Sequence, residues 1–314
     1  MENKHIHIIG CGGVCNYLLP ALLRKTEENA LTGTPSFHQT LVLHDADVVE
    51  EKNLHRQTLF DRDQVGMYKC DALSVKLLSL MNPGLRPFRP ETRRWRGRQE
   101  NKANPVPEER PPSFLDIQAS PCFLYKPSDS PNPVTHWLDK VTVNEGNIIP
   151  LQPEVLRYVR GSRETVAFRP EDVVFSCADS YIGRLTALRL ADTYNLTAIV
   201  GANEVSTAEA FVYLSQWKGT DRDPRTYYPE YGKYTSQQEQ EEVYRMRNPP
   251  VDGHGCAATV EQTCLANMQA ATYMLWLNEI WTKHVFLVTD DKEAIARLPW
   301  KLNNTWGRIQ VNQT

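Results

Sequence analysis

The chain lacks the features of a membrane or secreted protein. Its apolar runs stay short of the ~18 residues that a membrane-spanning helix needs, and no secretory signal precedes the first apolar segment. Its seven cysteines include no C-x-x-C pair, which argues against a cysteine zinc site. A scattered, odd-numbered set of cysteines is typical of a reducing compartment. We therefore expect a cytoplasmic protein without zinc and without a membrane partner.

The charge balance argues against nucleic-acid binding. The formal net charge is −3, and no nucleic-acid-binding signature is present. One basic run, Arg93-Arg94-Trp95-Arg96-Gly97-Arg98, could stack on and neutralise nucleic acid. A solvated basic loop, or a docking surface for an acidic partner, accounts for the same residues. The slightly acidic chain favours the second interpretation.

A glycine-rich loop follows the first predicted strand. Residues 6–9 are β-branched and apolar, Gly10-Cys11-Gly12-Gly13 comes next, and residues 14–23 have helical apolar spacing. Such a loop brings backbone N–H groups and a helix N-terminus close to phosphate. It matches neither G-x-G-x-x-G nor a Walker loop. By itself it predicts either a nucleotide site or only a tight strand-to-helix turn.

Polar residues follow the second predicted strand, residues 40–43. Asp45 and Asp47 either accept hydrogen bonds from ribose hydroxyls or form a solvated strand end. The next segment has little apolar periodicity, so we expect a loop and the start of a helix at residues 71–81. Two cations and two amides on it could clamp a triphosphate. These residues are Asn53, Arg56, Gln57 and Lys69.

The pattern D-x-D-x-V-x-x-x-N-L-x-R-Q, with a lysine thirteen residues after the arginine, resembles the adenylation domain of ThiF, MoeB and ubiquitin-activating (E1-like) enzymes. A later buried strand, residues 173–177, precedes Asp179 and Arg184, and these two residues also match the family. Ser180 departs from the asparagine usual there. Cys256 lies at the family's late structural cysteine position, ahead of an apolar helix.

The resemblance implies a Rossmann-like α/β fold, with a mostly parallel sheet flanked by helices. It implies one adenylation domain over residues 1–314, in which a Pro/Arg-rich, irregular insertion occupies about residues 86–140. The tail at residues 285–288 looks like a further strand. A homodimer is expected by resemblance alone.

The resemblance also implies ATP-dependent adenylation of a C-terminal carboxylate, with release of pyrophosphate. The expected partner is a ubiquitin-like or sulfur-carrier-like protein. Catalysis is expected from Arg56, Lys69 and Asp179, the last of which would bind Mg²⁺. Nucleotide binding is expected from Gly10, Gly12, Gly13, Asp45, Asp47, Asn53, Gln57 and Lys69.

Two alternatives stay open. A catalytically inactive E1-like scaffold would keep the fold without turnover, and the change at Ser180 is in keeping with it. An NAD(P)-binding oxidoreductase shares the strand–loop–helix–strand pattern, but it leaves Arg56, Lys69 and Asp179 unexplained. Residues 215–247 contain no cysteine. We therefore expect the reaction to stop at the adenylate, or the acyl group to pass to a partner's thiol.

Overall fold

The computed structural model describes residues 4–31, 39–81, 115–120, 122–125, 147–150, 156–159, 168–203, 207–228, 230–231, 237–239, 241–242, 263–287, 298–305 and 308–312. The strands in these ranges are β1 (Lys4–Ile9), β2 (Gln39–His44), β3 (Leu115–Ser120), β4 (Cys122–Tyr125), β5 (Asn147–Pro150), β6 (Leu156–Val159), β7 (Val173–Ser176), β8 (Thr197–Asn203), β9 (Ala208–Tyr213), β10 (Lys301–Thr305) and β11 (Arg308–Asn312). The α-helices are α1 (Gly13–Leu31), α2 (Lys69–Met81), α3 (Tyr181–Tyr194), α4 (Pro224–Tyr227) and α5 (Cys264–Leu287). Short 3₁₀ turns cover Glu51–Asn53, Arg62–Gln64 and Ser215–Trp217.

Eight of the strands form one sheet in the order β11-β10-β9-β8-β7-β1-β2-β3. The five strands from β8 to β3 are parallel, and β9, β10 and β11 extend the other edge with antiparallel pairs. Ile8 of β1 lies beside Leu43 of β2 and Phe175 of β7, and all three side chains are fully buried. Apolar strands covered on both faces form such parallel sheets. The predicted Rossmann-like, mostly parallel α/β fold is confirmed.

Helices cover the two faces of the sheet. Because β2 lies on one side of β1 and β8 on the far side of β7, right-handed crossovers place α1 and α3 on opposite faces. Helix α5 packs on α1 and on β8 and β9. At that contact a Cβ on Gly201 would lie 2.4 Å from the sulfur of Met274, so the helix approaches the sheet closely. Among the described residues, no helix is both long and apolar enough to cross a membrane.

Part of the predicted insertion belongs to the sheet. Strand β3 lies within residues 86–140 and pairs in parallel with β2, from Gln39↔Leu115 to His44↔Ser120. Strand β4 joins β6 and β5 in a separate antiparallel sheet. Residues 115–120 and 122–125 are therefore regular strands, not irregular chain. The single-domain boundaries stay a prediction, and the basic run at 93–98 lies outside the described residues.

The expected strand at residues 285–288 is wrong over its described part. Residues 285–287 are the last residues of α5. Short apolar runs do not distinguish strand from helix by periodicity. Here the long apolar helix simply continues through them.

Candidate functional site

The carboxyl ends of the central strands meet at one edge of the sheet. The chain moves from β1 to β2 and β3 in one direction, and later adds β7 and β8 on the other side of β1. The strand order therefore reverses between β1 and β7. In open α/β sheets ligands bind outside the carboxyl ends of the strands at such a reversal. The loops after β1, β2 and β7 carry the predicted site residues.

The three glycines after β1 have different surroundings. Gly10 has φ +88°, and a Cβ there would lie 3.0 Å from the backbone nitrogen of Ala178. Gly13 begins α1 and packs on α5, since its Cβ would lie 2.4 Å from Nδ2 of Asn267. A Cβ on Gly12 would meet no atom of the described residues within 4 Å. Two glycines thus allow close packing, whereas Gly12 borders open space at the start of a helix.

Asp45 connects the β2 end to the glycine loop. Its Oδ2 accepts a hydrogen bond from the backbone N–H of Cys11 at 2.6 Å, and its Oδ1 accepts from that of Asp47 at 2.7 Å. The side chain is buried, and burial, followed by the neighbouring Asp47 carboxylate, raises the pKa of Asp45 to about 6. Lys69 and the two backbone N–H groups oppose this shift. Asp45 therefore positions the loop, a role that the sequence did not predict.

Lys69 is held beside Asp47. Its Nζ lies 2.9 Å from Oδ2 of Asp47, and the two side chains are 9% and 27% exposed. The backbone N–H of Lys69 also donates to the carbonyl of Asp47 at 2.8 Å. Lys69 is the first residue of α2, so the predicted helix is present and begins two residues before the predicted start at residue 71. Both the side chain and the backbone fix this cation at the edge of the β2 loop.

The segment before Lys69 is ordered by its amide side chains. Asn53 is buried, and its Oδ1 accepts from the N–H of Glu50 at 2.8 Å, which caps a 3₁₀ turn. Gln57 is buried too, and within the described part of the chain its Oε1 has no hydrogen-bond partner. A buried acceptor of this kind is unusual and marks a place where a donor group would bind. Arg56 lies between these two amides and is half-buried.

Asn16 is a site residue that sequence reasoning missed. It stands where a G-x-G-x-x-G loop would continue, and it is buried. Its Nδ2 donates to the carbonyl of Gly12 at 3.0 Å, and its Oδ1 accepts from the N–H of Leu59 at 2.9 Å. It thereby joins the glycine loop to the segment that carries Arg56. The signal available in the sequence was an asparagine among apolar residues in the first turn of a predicted helix.

The loop after β7 is the third part of the site. Asp179 lies there, exposed, next to the start of α3. Ser180 is the N-cap of α3, and its hydroxyl accepts from the N–H of Gly183 at 3.2 Å. Serine and asparagine are equally good N-caps, so replacing one by the other preserves this helix start. Arg184 donates from Nε to the carbonyl of Ala178 at 3.2 Å and therefore supports the loop.

Hydrogen bonds between the loops thus bring most of the predicted residues to one edge of the sheet. Besides the contacts of Asp45, Gly10 N–H donates to the carbonyl of His44 at 3.0 Å, and Cys177 N–H donates to that of Ile9 at 2.8 Å. Asn53 lies apart from this edge in its interactions, because its side-chain oxygen caps its own turn. Cys256 lies outside the described residues.

These residues fit a nucleoside triphosphate and Mg²⁺. Open space beside Gly12 and the helix N-terminus at the start of α1 suit a phosphate. Asp179 offers a carboxylate of the kind that holds Mg²⁺ together with phosphate oxygens. Gln57 Oε1 accepts hydrogen bonds, so a ribose hydroxyl or an adenine amino group would satisfy it and a phosphate oxygen would not.

Comparison with known proteins agrees with this geometry over the N-terminal part of the chain. Residues 1–103 match the ThiF family. The adenylyltransferase and sulfurtransferase UBA4 of Eremothecium gossypii is 40% identical over 84 residues, and that of Vanderwaltozyma polyspora is 37% identical over 84 residues. Each alignment covers 26% of this chain and only 16% of the relative.

Solved structures resemble the chain over its whole length at low identity. E. coli MccB, crystallised with ATP, has a TM-score of 0.45 at 13% identity, over 99% of this chain and 63% of MccB. PaaA has a TM-score of 0.47 at 13% identity, over 99% of this chain and 72% of PaaA. Both TM-scores are below 0.5, which is too distant for conclusions about ligands or partners.

Proposed function

We propose that the protein is an ATP-dependent adenylyltransferase of the E1-like kind, because residues 1–103 match the ThiF family. The observation that supports this most directly is the linked series of Gly10–Gly13, Asp45, Asp47 and Lys69 at the sheet edge. A glycine loop alone would suit any nucleotide. A buried lysine placed beside that loop by two contacts with Asp47 suits a triphosphate in particular.

The proposed reaction joins a carboxylate to AMP. A carboxylate oxygen attacks the α-phosphorus of ATP, the bond from that phosphorus to the bridging oxygen breaks, and pyrophosphate leaves with the electron pair. No proton is transferred in this step. Two anions must approach each other, so the protein contributes mainly position and positive charge.

Each part of the site has a role in this proposal. The N–H groups beside Gly12 hold phosphate, and Asp45 keeps the loop in place. Lys69 and Arg56 offset the charge of the phosphates, and Gln57 accepts from the nucleoside. Asp179 would hold Mg²⁺, which supplies further neutralisation of phosphate charge when it is bound.

The acyl substrate is proposed to be the C-terminal carboxylate of a ubiquitin-like or sulfur-carrier-like protein. The support is the resemblance to ThiF-family enzymes and to the two UBA4 proteins, over the aligned segment. We propose that the reaction ends at the adenylate or passes the acyl group to a thiol of the partner. Burial raises the pKa of the Cys11 and Cys15 thiols, so these two loop cysteines are poor nucleophiles. A thioester on Cys256 would contradict this part of the proposal, and mass spectrometry of the Cys256→Ala variant would reveal it.

A homodimer in the cytoplasm is the proposed working form. Helix α5 exposes Leu265, Met268 and Trp276, which follow one another along the helix and have no cover within the described chain. An exposed apolar stripe of this kind is typical of an interaction surface. Sedimentation analysis of the wild type and of Trp276→Lys tests it, and a wild-type monomer would refute it.

The test of the activity is exchange of radiolabelled pyrophosphate into ATP, with Mg²⁺, in the presence and absence of a ubiquitin-like protein that ends in glycine. We expect exchange that depends on the partner and falls by at least ~100-fold in Lys69→Met. Lys76→Met is the matched control, since Lys76 lies on the same helix and pairs with Asp61 at 2.7 Å, away from the loop. Equal exchange in Lys69→Met and Lys76→Met would overturn the proposal.

The inactive scaffold is the second candidate, and one observation favours it. The Lys69 ammonium is already neutralised by Asp47 at 2.9 Å, which lowers the net positive charge offered to ATP. A scaffold would bind the partner protein and show no exchange with any carboxylate. Pyrophosphate exchange in a sample shown by calorimetry to bind ATP and the partner separates the two cases, because only the adenylyltransferase would turn over.

A further inference from the structure

A group of metal-binding side chains lies outside the site described above. His5 and His7 are on β1, and Asp172 precedes β7, the strand beside β1. Residues two apart on a strand point to the same face, so the two imidazoles are neighbours. One ligand atom from each of the three side chains lies within 4.8 Å of the others. Their sequence positions differ by up to 167, so only the fold brings them together.

Two of the nitrogen atoms in this group have no hydrogen-bond partner. His5 Nδ1 and His7 Nε2 are buried, and neither forms a hydrogen bond within the described residues. His7 Nε2 is 3.6 Å from Oδ2 of Asp172, which is too long for a good hydrogen bond. Both side chains of that pair are fully buried. Leaving buried polar atoms unpaired is costly, so this arrangement requires an explanation.

The surrounding hydrogen bonds hold these side chains in fixed orientations, as the groups around metal ligands commonly do. His7 Nδ1 lies 3.1 Å from Nε2 of His44. If the proton is on Nδ1 of His7, this nitrogen donates to His44 and the lone pair of Nε2 faces Asp172. The Asp172 carboxylate accepts from the N–H of His5 at 2.9 Å and from that of Arg169 at 2.8 Å. Metal-bound histidines and carboxylates are commonly held by such outer hydrogen bonds.

A simple charged pair between His7 and Asp172 does not explain the cluster as well. The 3.6 Å between His7 Nε2 and Asp172 Oδ2 is longer than the distance that a charged hydrogen bond between these two groups would have. The pairing also leaves His5 Nδ1 without a role.

We propose that His5, His7 and Asp172 bind a first-row transition-metal ion of the Zn²⁺ type, with water at the remaining position. Two imidazoles and one carboxylate form a ligand set found around zinc, whereas Mg²⁺ prefers oxygen ligands. Zn–N and Zn–O bonds of about 2.0–2.2 Å require ligand atoms about 3.3 Å apart. From separations of up to 4.8 Å, the ligand atoms would therefore have to approach one another by at most about 1.5 Å, through side-chain rotation. His5 is the member of this group that is partly exposed to solvent.

This site differs from the cysteine zinc site and from the Mg²⁺ site that were considered above. It uses no cysteine, so the lack of C-x-x-C pairs does not bear on it, and it shares no residue with the Mg²⁺ position at Asp179. A bound ion would tie β1 to the chain before β7, and through His44 to the end of β2. Its role would be structural, and it does not depend on the proposed adenylation.

The experiment is calorimetric titration of chelator-treated protein with ZnCl₂ at neutral pH, followed by Co²⁺ as an optical probe. We expect one equivalent in the wild type and an affinity at least about tenfold lower in His5→Gln. His5→Gln is the main variant, because the backbone N–H of His5, not its ring, binds Asp172. His55→Gln is the matched control, an exposed histidine on another segment, and it should bind as the wild type does.

Folding is checked by circular dichroism, and His7→Gln provides a second variant inside the core. Loss of tight binding in folded His5→Gln with retention in His55→Gln would establish the site. No saturable Zn²⁺ binding by the wild type would overturn the proposal. So would equal affinity in the wild type and His5→Gln, since the ion would then be bound elsewhere, for example by thiols.

Discussion

Two glycines of the same loop should respond in opposite ways to alanine. In Gly10→Ala the alanine must adopt φ +88°. Its Cβ would lie 3.0 to 3.2 Å from backbone atoms of Cys177 and Ala178. Positive φ and an overpacked backbone contact each cost about 1–3 kcal/mol. We expect Gly10→Ala to lower the free energy of unfolding by on the order of 3 kcal/mol.

Gly12→Ala should leave the fold intact. Its Cβ would meet no atom within 4 Å in the part of the chain that the structure describes, and its φ lies outside the left-handed region. Restricting the unfolded chain should even stabilise the variant by about 0.4–1 kcal/mol. If phosphate occupies the space beside Gly12, however, the methyl group would displace it. We expect ATP affinity to fall by at least about tenfold, which corresponds to ~1.4 kcal/mol.

Urea unfolding and calorimetric titration with Mg²⁺–ATP measure the two quantities separately. The reasoning predicts weak ATP binding with normal stability in Gly12→Ala, and lowered stability in Gly10→Ala. Normal ATP affinity in Gly12→Ala would show that the loop is not the phosphate site. A strongly destabilised Gly12→Ala would show that the space beside it is not open.

Three further predictions concern single side chains. The pKa of Asp45 is raised from 3.8 to about 6, so the folded state binds this proton more tightly than the unfolded chain does. The stability that comes from this proton binding is present at low pH and is lost as pH rises from about 4 to 6. Unfolding of the wild type and of Asp45→Asn at several pH values should show this as a difference of up to about 3 kcal/mol, and parallel curves would refute it. Ser180→Ala should lose about 1 kcal/mol with the helix cap, and Ser180→Asn should not; equal urea midpoints would count against the cap. Exposed Cys264 should be alkylated in the native protein while buried Cys11 and Cys15 are not, as peptide mass spectrometry can test, and rapid labelling of either buried thiol would contradict the structure.

Local patterns in the sequence predicted the central strands of the sheet. Residues 6–9 and 173–177 are unbroken apolar runs, as expected for strands buried on both faces. The glycine loop lies between one such strand and a helical period. Strand β3 was not predicted, because it lies in a Pro- and Arg-rich region and is selected by pairing with β2. The apolar residues 285–287 were misassigned, since their helical state depends on the preceding turns of α5.

The candidate site was predictable to a similar degree. The types and spacing of Asp45, Asp47 and Lys69 indicated charges near a nucleotide, and Lys69 does begin a helix. That Asp45 accepts from the N–H of Cys11, and that Asn16 joins two loops, depends on side-chain directions that no sequence pattern records.

The sequence by itself determined the central buried strands, the glycine loop and the chemical types of the residues around it, and its resemblance to E1-like enzymes implied the parallel α/β architecture. The strands and the loop follow from local periodicity and from backbone preferences, which act over a few residues. Tertiary structure alone decided which distant groups became neighbours. It placed Ala178 against Gly10, Asp47 against the Lys69 ammonium, and Asp172 beside His5 and His7. The reason is that burial, charge pairing and close packing act between groups in space, whatever their separation along the chain.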